Sequence, residues 1–256
     1  MSRKRADVRV TWKTARTAEG SALRPVSFIV TCEHGGNRIP PKYAKLFRGR
    51  RRLLESHRGY DPGALSMARS LSRALEAVHI TSTVSRLLIE LNRSPGHPAV
   101  YSKVMRKAPQ SVRQEVYERY YVSYRARVEN AVRAAVERGD RVVHISSHSF
   151  TPRLNGVVRK ADAGLLYDPR RASERALCVR WQVALQARMP GWRVRRNYPY
   201  RGASDGLTQY LRGLFSGSVY SGIELEINHK HFFAGDRAWN DIRSRVVGAL
   251  LESVGK

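Results

Sequence analysis

The hydrophobic and polar positions of the chain divide it into short apolar runs and longer amphipathic stretches, the pattern of an α/β protein. Apolar runs rich in β-branched residues predict strands at residues 26–31, 79–84, 86–91, 141–147, 163–167, 192–196 and 222–228. Apolar positions at helical spacing predict helices at residues 65–78, 110–138, 171–188 and 236–250. Strands and helices that alternate along the chain predict a domain built around a central sheet.

The two ends of the chain differ in character. Residues 1–24 lack both periodicities and are rich in Arg, Lys, Thr and Ala, which predicts a basic mobile tail. Residues 25–256 have the length of one large α/β domain and contain no internal repeat, so we expect a single domain there.

The apolar runs and the two cysteines indicate the cellular compartment of the protein. No apolar run approaches the roughly 20 residues of a membrane helix, and the basic N-terminus lacks the apolar core of a signal peptide. Cys32 and Cys178 both lie in apolar runs, which is typical of reduced cysteines in a protein core. These features predict a cytoplasmic protein.

The formal net charge is +26 at pH 7, which predicts nonspecific attraction to polyanions. Nucleic-acid binding is therefore a candidate function. The basic residues are spread along the whole chain rather than gathered in one stripe. This distribution favours an arginine-rich solvated surface over a dedicated nucleic-acid site.

Two histidines and a carboxylate lie where buried strands or loops end. His34 follows the first predicted strand, in a turn with two glycines, and His148 ends the strand at 141–147. Asp61 lies in a Gly- and Pro-rich loop ahead of a helix, where it can cap that helix or hold a metal. The carboxyl ends of strands are where open α/β folds bind ligands. Two histidines and one carboxylate form a catalytic zinc site that leaves a position for water.

Further polar residues end the remaining apolar strands. Asn92 and Arg93 follow the run at 86–91, and an Arg offers a planar fork that matches a carboxylate. Glu224 and Glu226 lie on one face of the last strand, where acidic residues are costly unless they are paired or functional. A carboxylate beside a metal site can act as the general base for water.

Motifs of the chain narrow the class of enzyme. The chain contains no Walker loop, no GxGxxG and no GxSxG, which argues against nucleotide-cofactor enzymes and serine hydrolases. Five segments carry distinctive motifs: Glu33-His-Gly-Gly-Asn-Arg-Ile-Pro40, Glu90-Leu-Asn-Arg-Ser94, Ser147-His-Ser149 with Pro152, Asn197-Tyr-Pro-Tyr-Arg-Gly with Asp205-Gly-Leu-Thr208, and Glu224-Leu-Glu-Ile-Asn228. In these motifs and their order, over about residues 26–250, the chain resembles the N-formylglutamate amidohydrolase family.

The family resembles zinc carboxypeptidases and aspartoacylase in fold. The resemblance implies a three-layer α/β/α architecture with a central mixed, largely parallel sheet, of the carboxypeptidase or phosphorylase/hydrolase type. It implies that residues 25–256 form one amidohydrolase domain that holds one zinc ion per chain. It also implies hydrolysis of an N-formyl or other N-acyl amide of an acidic amino acid, with Glu226 as base. The substrate's carboxylate is expected at Asn92 and Arg93, with Arg201 as the next candidate.

The third zinc ligand departs from the related pattern. Carboxypeptidase-like enzymes have a Glu three residues after the first His, where this chain has Asn37, and a neutral Asn is a poor zinc ligand. Asp61 is our first choice because it is a loop carboxylate between the first two strand ends. Glu33, next to His34, is the second.

Two other functions remain open at this point. A basic nucleic-acid-binding protein with a degenerate metal site would have tight, salt-sensitive DNA binding and no metal. A metal-dependent phosphodiesterase usually has a richer carboxylate cluster for two metals. The expected partner of the amidohydrolase is a small anionic N-acyl amino acid, and the positive charge of the chain would favour its approach.

Overall fold

The computed structural model describes residues 24–256, so the predicted basic tail lies outside the described residues except for Arg24. The strands are β1 (Val26–Cys32), β2 (Val78–Thr81), β3 (Arg141–Phe150), β4 (Arg153–Leu154), β5 (Val157–Val158), β6 (Ala163–Leu166), β7 (Val194–Arg196) and β8 (Tyr220–Asn228). The α-helices are α1 (Arg51–Leu54), α2 (Ala64–Leu75), α3 (Gln110–Val116), α4 (Ser123–Glu137), α5 (Ala172–Arg188), α6 (Leu207–Leu214), α7 (His229–Phe232) and α8 (Asp236–Val254).

Six strands form one mixed sheet in the order β2-β1-β3-β8-β6-β7. The first four run parallel to one another, and β6 pairs antiparallel with β8 before β7 continues parallel to β6. β4 and β5 form a separate hairpin. The predicted mixed, largely parallel sheet is therefore confirmed.

Helices cover both faces of this sheet. One core packs α2, α5 and α8 against the sheet, with Trp181 and Leu250 fully buried in it. The second core packs the α3–α4 region and α6 against the opposite face, around Val128 and Leu211. A sheet buried on both faces explains why its strands read as nearly continuous apolar runs. The predicted three-layer architecture is confirmed.

The carboxyl ends of β1, β3 and β8 meet at one edge of the sheet, because these three strands are parallel neighbours. His148 of β3 lies directly beside Glu226 of β8 in the strand register. The loop after α1 returns to this edge, where the backbone N–H of Asp61 donates to the carbonyl of His34 at 2.9 Å. The topology thus brings residues from distant parts of the sequence to one place.

The glycines after His34 lie close to the segment that follows β2. A Cβ on Gly35 would meet the carbonyl oxygen of Ser82 at 2.9 Å, and one on Gly36 would meet that of Thr83 at 2.7 Å. The glycines therefore allow the turn to pack against the segment that follows β2, which fixes the position of His34.

The strand predicted at 86–91 is wrong. This segment is a buried turn, in which Leu88 and Ile89 are fully buried without joining the sheet. Ser85 holds the turn because its hydroxyl oxygen accepts from the N–H of Leu87 and its carbonyl accepts from the N–H of Leu88. A short apolar run does not distinguish a strand from a buried turn.

The helix predicted at 110–138 is present but interrupted. A π-helical segment at Tyr117–Val122 joins α3 to α4. Tyr121 and Tyr124 are buried in the core, and the hydroxyl of Tyr124 donates to Glu33 at 2.8 Å. Tyr124 therefore connects this helical region to the residue next to His34.

Two simpler expectations concern burial and membrane helices. Cys32 and Cys178 are free and buried, as predicted. Within residues 24–256, no helix has the length and apolar character needed to cross a membrane.

Candidate active site

Three side chains predicted as metal ligands converge at the carboxyl edge of the sheet. His34, Asp61 and His148 offer ligand atoms that all lie within 4.8 Å of one another. The Oδ2 atom of Asp61 is 3.3 Å from Nδ1 of His34 and 2.9 Å from Nδ1 of His148. All three residues are buried, and the two histidines are only 2% and 3% exposed. Two imidazole nitrogens and one carboxylate oxygen thus face a common point.

The outer nitrogen of each histidine is held by a further carboxylate. Nε2 of His34 contacts Oε1 of Glu90. Nε2 of His148 lies 3.0 Å from Oε2 of Glu33 and 2.9 Å from the hydroxyl of Ser146. Metal-binding histidines commonly have such a partner on their second nitrogen, which fixes the ring and leaves the inner nitrogen free to bind.

Arg86 connects two of these carboxylates. Its guanidinium donates to Oε2 of Glu90 at 2.8 Å and to Oδ1 of Asp61 at 3.3 Å. Because Arg86 occupies Oδ1, the other oxygen of Asp61 is the one that faces the two histidines. Arg86 therefore orients the proposed ligand without contacting the ligand point itself.

The charges of the cluster match a divalent cation. Burial alone would raise the pKa values of Asp61, Glu33 and Glu90, but their histidine, arginine and hydroxyl partners lower all three. Burial would lower the pKa of His148, yet hydrogen bonds to Asp61 and Glu33 raise it well above its usual value. Three ionised carboxylates and one guanidinium leave two negative charges when the histidines are neutral. The donor set and its charge therefore fit a zinc ion.

Glu226 lies outside this cluster, next to His148 in the strand register. It is 5% exposed, and its Oε2 is buried without a hydrogen-bond partner among the described residues. Burial raises the pKa of Glu226 to about 8, helped by Asp61 and Glu224 and opposed by His148. A buried, unpaired carboxylate is costly in a structural role and is typical of a functional one.

Glu224 has a different environment. It is only half-buried, and its Oε1 accepts a hydrogen bond from the hydroxyl of Thr208 at 2.8 Å. In the sheet register it pairs with Ser146, two residues before His148 on β3. The two glutamates thus share a face, as predicted, but of the two only Glu226 has a buried oxygen without a hydrogen-bond partner in the described part of the chain.

Asn92 and Arg93 lie on the turn that follows Glu90, tied to the segment before α6. The amide of Asn92 is 3.4 Å from Nε2 of His148, and its Oδ1 accepts from the N–H of Leu207 at 2.6 Å. The guanidinium of Arg93 donates to the carbonyl of Asp205 at 2.7 Å. Asn92 therefore borders the cluster, while Arg93 is engaged by a neighbouring loop.

Arg201, the other predicted carboxylate ligand, is exposed on the loop between β7 and α6. Its neighbour Tyr200 lines a cavity beside the cluster, whereas Arg201 is not among the lining residues. Arg201 is therefore a neighbour of the cavity wall in the sequence and does not itself line the cavity.

A cavity of about 220 Å³ opens next to the cluster and includes Asp61 and Arg86 in its wall. This volume lies below the usual range for drug-sized ligands, so the cavity suits a small metabolite. Its remaining lining is His57, Arg58, Ser149, Phe150, Thr151, Leu154, Tyr200 and His229. The guanidiniums of Arg58 and Arg86 make the cavity a favourable place for an anion.

Three residues of the site were not singled out as functional from the sequence. Glu90 is the first residue of the motif Glu90-Leu-Asn-Arg-Ser94, and Arg86 lies four residues before it, a spacing that suits an ion pair. Both residues could therefore have been identified from the sequence. His229 follows the last strand directly, which is the position that had already identified His34 and His148.

His144, by contrast, has a structural role. It is fully buried within β3, hydrogen-bonded to the hydroxyls of Thr31 and Tyr220 at 2.9 and 2.7 Å. Burial lowers the pKa of His144 to about 4, which keeps the ring neutral.

Comparisons with known proteins agree with this fold. The model of the N-formylglutamate amidohydrolase family matches residues 26–232. The gene product Atu2144 from Agrobacterium tumefaciens superposes with a TM-score of 0.74 at 28% identity, covering 90% of this chain and 92% of that one. N-formylglutamate amidohydrolase from Ralstonia eutropha JMP134 superposes with a TM-score of 0.65 at 18% identity, covering 90% and 94%, which shows a common fold. No curated protein matches the chain.

These findings place the protein among the amidohydrolases. Because the family match spans most of its length, the chain belongs to the N-formylglutamate amidohydrolase family. The resemblance identified from the sequence motifs is therefore confirmed.

Proposed function

We propose that the protein hydrolyses the amide bond of an N-formyl or other N-acyl amino acid, of which N-formylglutamate is the model, with one zinc ion held by His34, Asp61 and His148. The convergence of their three ligand atoms beside the unpaired carboxylate of Glu226 carries this proposal. The buried partners on the outer histidine nitrogens support it, since they keep both rings fixed.

When bound, zinc supplies a Lewis acid that makes water a nucleophile at neutral pH and stabilises negative charge on the acyl oxygen. Glu226 takes a proton from the attacking water and later delivers it to the departing amine nitrogen. Burial disfavours the ionised form that this role needs, and a cation in the neighbouring cluster offsets that cost. Glu226 is therefore assigned as the general base and then the general acid.

The substrate's carboxylate is assigned to Asn92 and Arg93, next to the cluster. The side chain of Arg93 is 37% exposed, and its guanidinium contacts Asp205. Arg201 is the second candidate, because it follows Tyr200 of the cavity wall in the sequence. Arg58 and Arg86 provide a positive lining for the same anionic substrate.

Metal analysis combined with a substrate screen tests this function. Purified protein should contain about one zinc per chain, and zinc-loaded protein should hydrolyse members of a set of N-formyl, N-acetyl and longer N-acyl amino acids. Protein that retains no metal and hydrolyses none of them would contradict the proposal.

The alternative, a basic nucleic-acid-binding protein, rests on the net charge of +26. It predicts DNA binding that is tight and falls steeply with salt. Such binding by a metal-free, inactive protein would favour the alternative over the hydrolase.

Replacing Arg93 by lysine tests the carboxylate assignment. The change keeps the charge but removes the planar fork, so transition-state binding should weaken by about 1.5–3 kcal/mol, the usual contribution of a hydrogen bond to a charged group. The measurement is kcat/KM toward several N-acyl amino acids. Arg201→Lys is the matched control and should change kcat/KM much less. Unchanged efficiency in the Arg93 variant would transfer the assignment to Arg201.

Matched amide substitutions test the third ligand. Asp61→Asn removes the oxygen charge that faces both histidines, whereas Glu33→Gln changes only a partner of His148. Loss of an outer partner typically weakens metal binding about 10–100-fold, and Asp61→Asn should exceed that. Zinc affinity is measured by competition with a chelator. A larger loss in Glu33→Gln than in Asp61→Asn would make Glu33 the ligand.

A further inference from the structure

His229 is a buried histidine that lines the active-site cavity together with Asp61. It is the first residue of α7, three residues after Glu226, and is 4% exposed. Its Nε2 is buried and makes no hydrogen bond to any other residue of the described chain. A buried polar atom with no partner in a cavity wall points to a hydrogen bond completed by whatever the cavity binds.

The environment of the second ring nitrogen shows whether Nε2 lacks a donor or an acceptor. Burial lowers the pKa of His229 below its usual value. The charge of Asp61 and a hydrogen bond to the Ser149 backbone oppose this shift, and His57 and Arg159 add to it. The ring is therefore neutral. A backbone carbonyl can only accept, so the nitrogen that faces Ser149 carries the proton. Because Nε2 has no partner, the facing nitrogen is Nδ1, and Nε2 presents a lone pair.

The lone pair of Nε2 needs a hydrogen-bond donor, which a ligand of the cavity would supply. The guanidiniums of Arg58 and Arg86 donate, and both oxygens of Asp61 are engaged by His34, His148 and Arg86. An N-acyl amino acid has several acceptors, namely its carboxylates and its acyl oxygen. With its carboxylates ionised it has one donor, the N–H of the scissile amide.

We infer that Nε2 of His229 accepts a hydrogen bond from the N–H of the scissile amide and so selects amides of primary amines. This inference rests on the proposed function. His229 would act as a specificity-determining residue. An ester has an oxygen in place of the N–H, so it cannot donate to Nε2, and its lone pairs repel the lone pair of that nitrogen. This contact leaves the proposed reaction unchanged. Glu226 still takes a proton from water, and the same amide bond breaks.

A comparison of an amide with its ester tests the contact. N-formyl-L-glutamate and O-formyl-2-hydroxyglutarate differ only by N–H against O, and kcat/KM is measured for both with zinc-loaded protein. In His229→Phe the ratio of amide to ester efficiency should fall roughly 5- to 100-fold, the range for a lost buried hydrogen bond. His229→Gln keeps an acceptor near the position of Nε2 and should restore part of the ratio. His57→Phe, at another histidine of the same cavity, should leave the ratio unchanged.

The other outcomes are decisive as well. Equal losses for amide and ester in His229→Phe would mean that His229 only shapes the cavity, and a larger loss for the ester would make it a donor; either result overturns the inference. Nitrogen-15 NMR of the ring should show the neutral tautomer with the proton on Nδ1, and a proton on Nε2 would also overturn it. If the wild type hydrolyses neither this amide nor any other N-acyl amino acid, the proposed function itself fails.

Discussion

Replacing His34 or His148 by alanine should abolish zinc binding and hydrolysis while the chain remains folded. Each histidine contributes one inner nitrogen to the ligand point, and a zinc site with two remaining ligands is too weak to hold the ion at neutral pH. The loss of activity should be complete within detection, because the Lewis acid and the activated water disappear together. Elemental analysis and hydrolysis of N-formyl-L-glutamate measure the two effects.

The fold of these variants needs a separate check, because both histidines are buried between carboxylates. Far-ultraviolet circular dichroism should stay near that of the wild type, since the elements around the site are held by two extensive apolar cores. His79→Ala is the matched control: His79 is exposed on β2, at the edge of the sheet, and its loss should leave zinc in place. Zinc retained by the double variant His34→Ala/His148→Ala would refute the assignment.

Changing Glu226 to glutamine should reduce turnover about 10²–10⁴-fold, the usual contribution of general acid–base catalysis. Glutamine has the same shape but cannot take the proton of water. Zinc content should be unaffected, because Glu226 is not among the three converging ligands. KM should change little, which assigns the loss to the chemical step. Steady-state kinetics together with elemental analysis distinguish these quantities.

Glu224→Gln is the matched control for this prediction. Glu224 lies on the same face of β8, but its carboxylate already accepts a hydrogen bond from Thr208. An amide oxygen can accept the same bond, so the variant should retain most of the turnover. If Glu224→Gln causes the large loss and Glu226→Gln the small one, Glu224 is the catalytic base.

The cluster has an unusual electrostatic setting. Three carboxylates lie around two histidines in a chain whose formal net charge is +26. A basic surface attracts anions over distances up to about a Debye length, whereas the buried carboxylates act only on what reaches the ligand point. An anionic substrate and a divalent cation can therefore be attracted to the same site by different parts of the protein.

The class of fold, and the edge of the sheet at which the candidate site lies, could be predicted from the sequence. β-Branched runs and helical spacing predicted β1, β3, β8 and the long helices, because burial on both faces of a sheet leaves that pattern in the residues. The polar residue at the end of each run then located His34 and His148, since parallel strands end at one edge. The motif order identified the family, which the match over residues 26–232 confirms.

The contacts between side chains of the site, and the hydrogen bonds that orient them, depend on the tertiary structure. The run at 86–91 is apolar because it is buried, and only its contacts with Ser85 make it a turn that carries Arg86 and Glu90 to the histidines. The exposure of Arg201 and the contact of Arg93 with Asp205 likewise depend on how two loops pack. Local sequence sets the conformation of each segment, but the partner of a buried polar atom comes from segments far away in the chain. For that reason the free nitrogen of His229 became visible only in the folded protein.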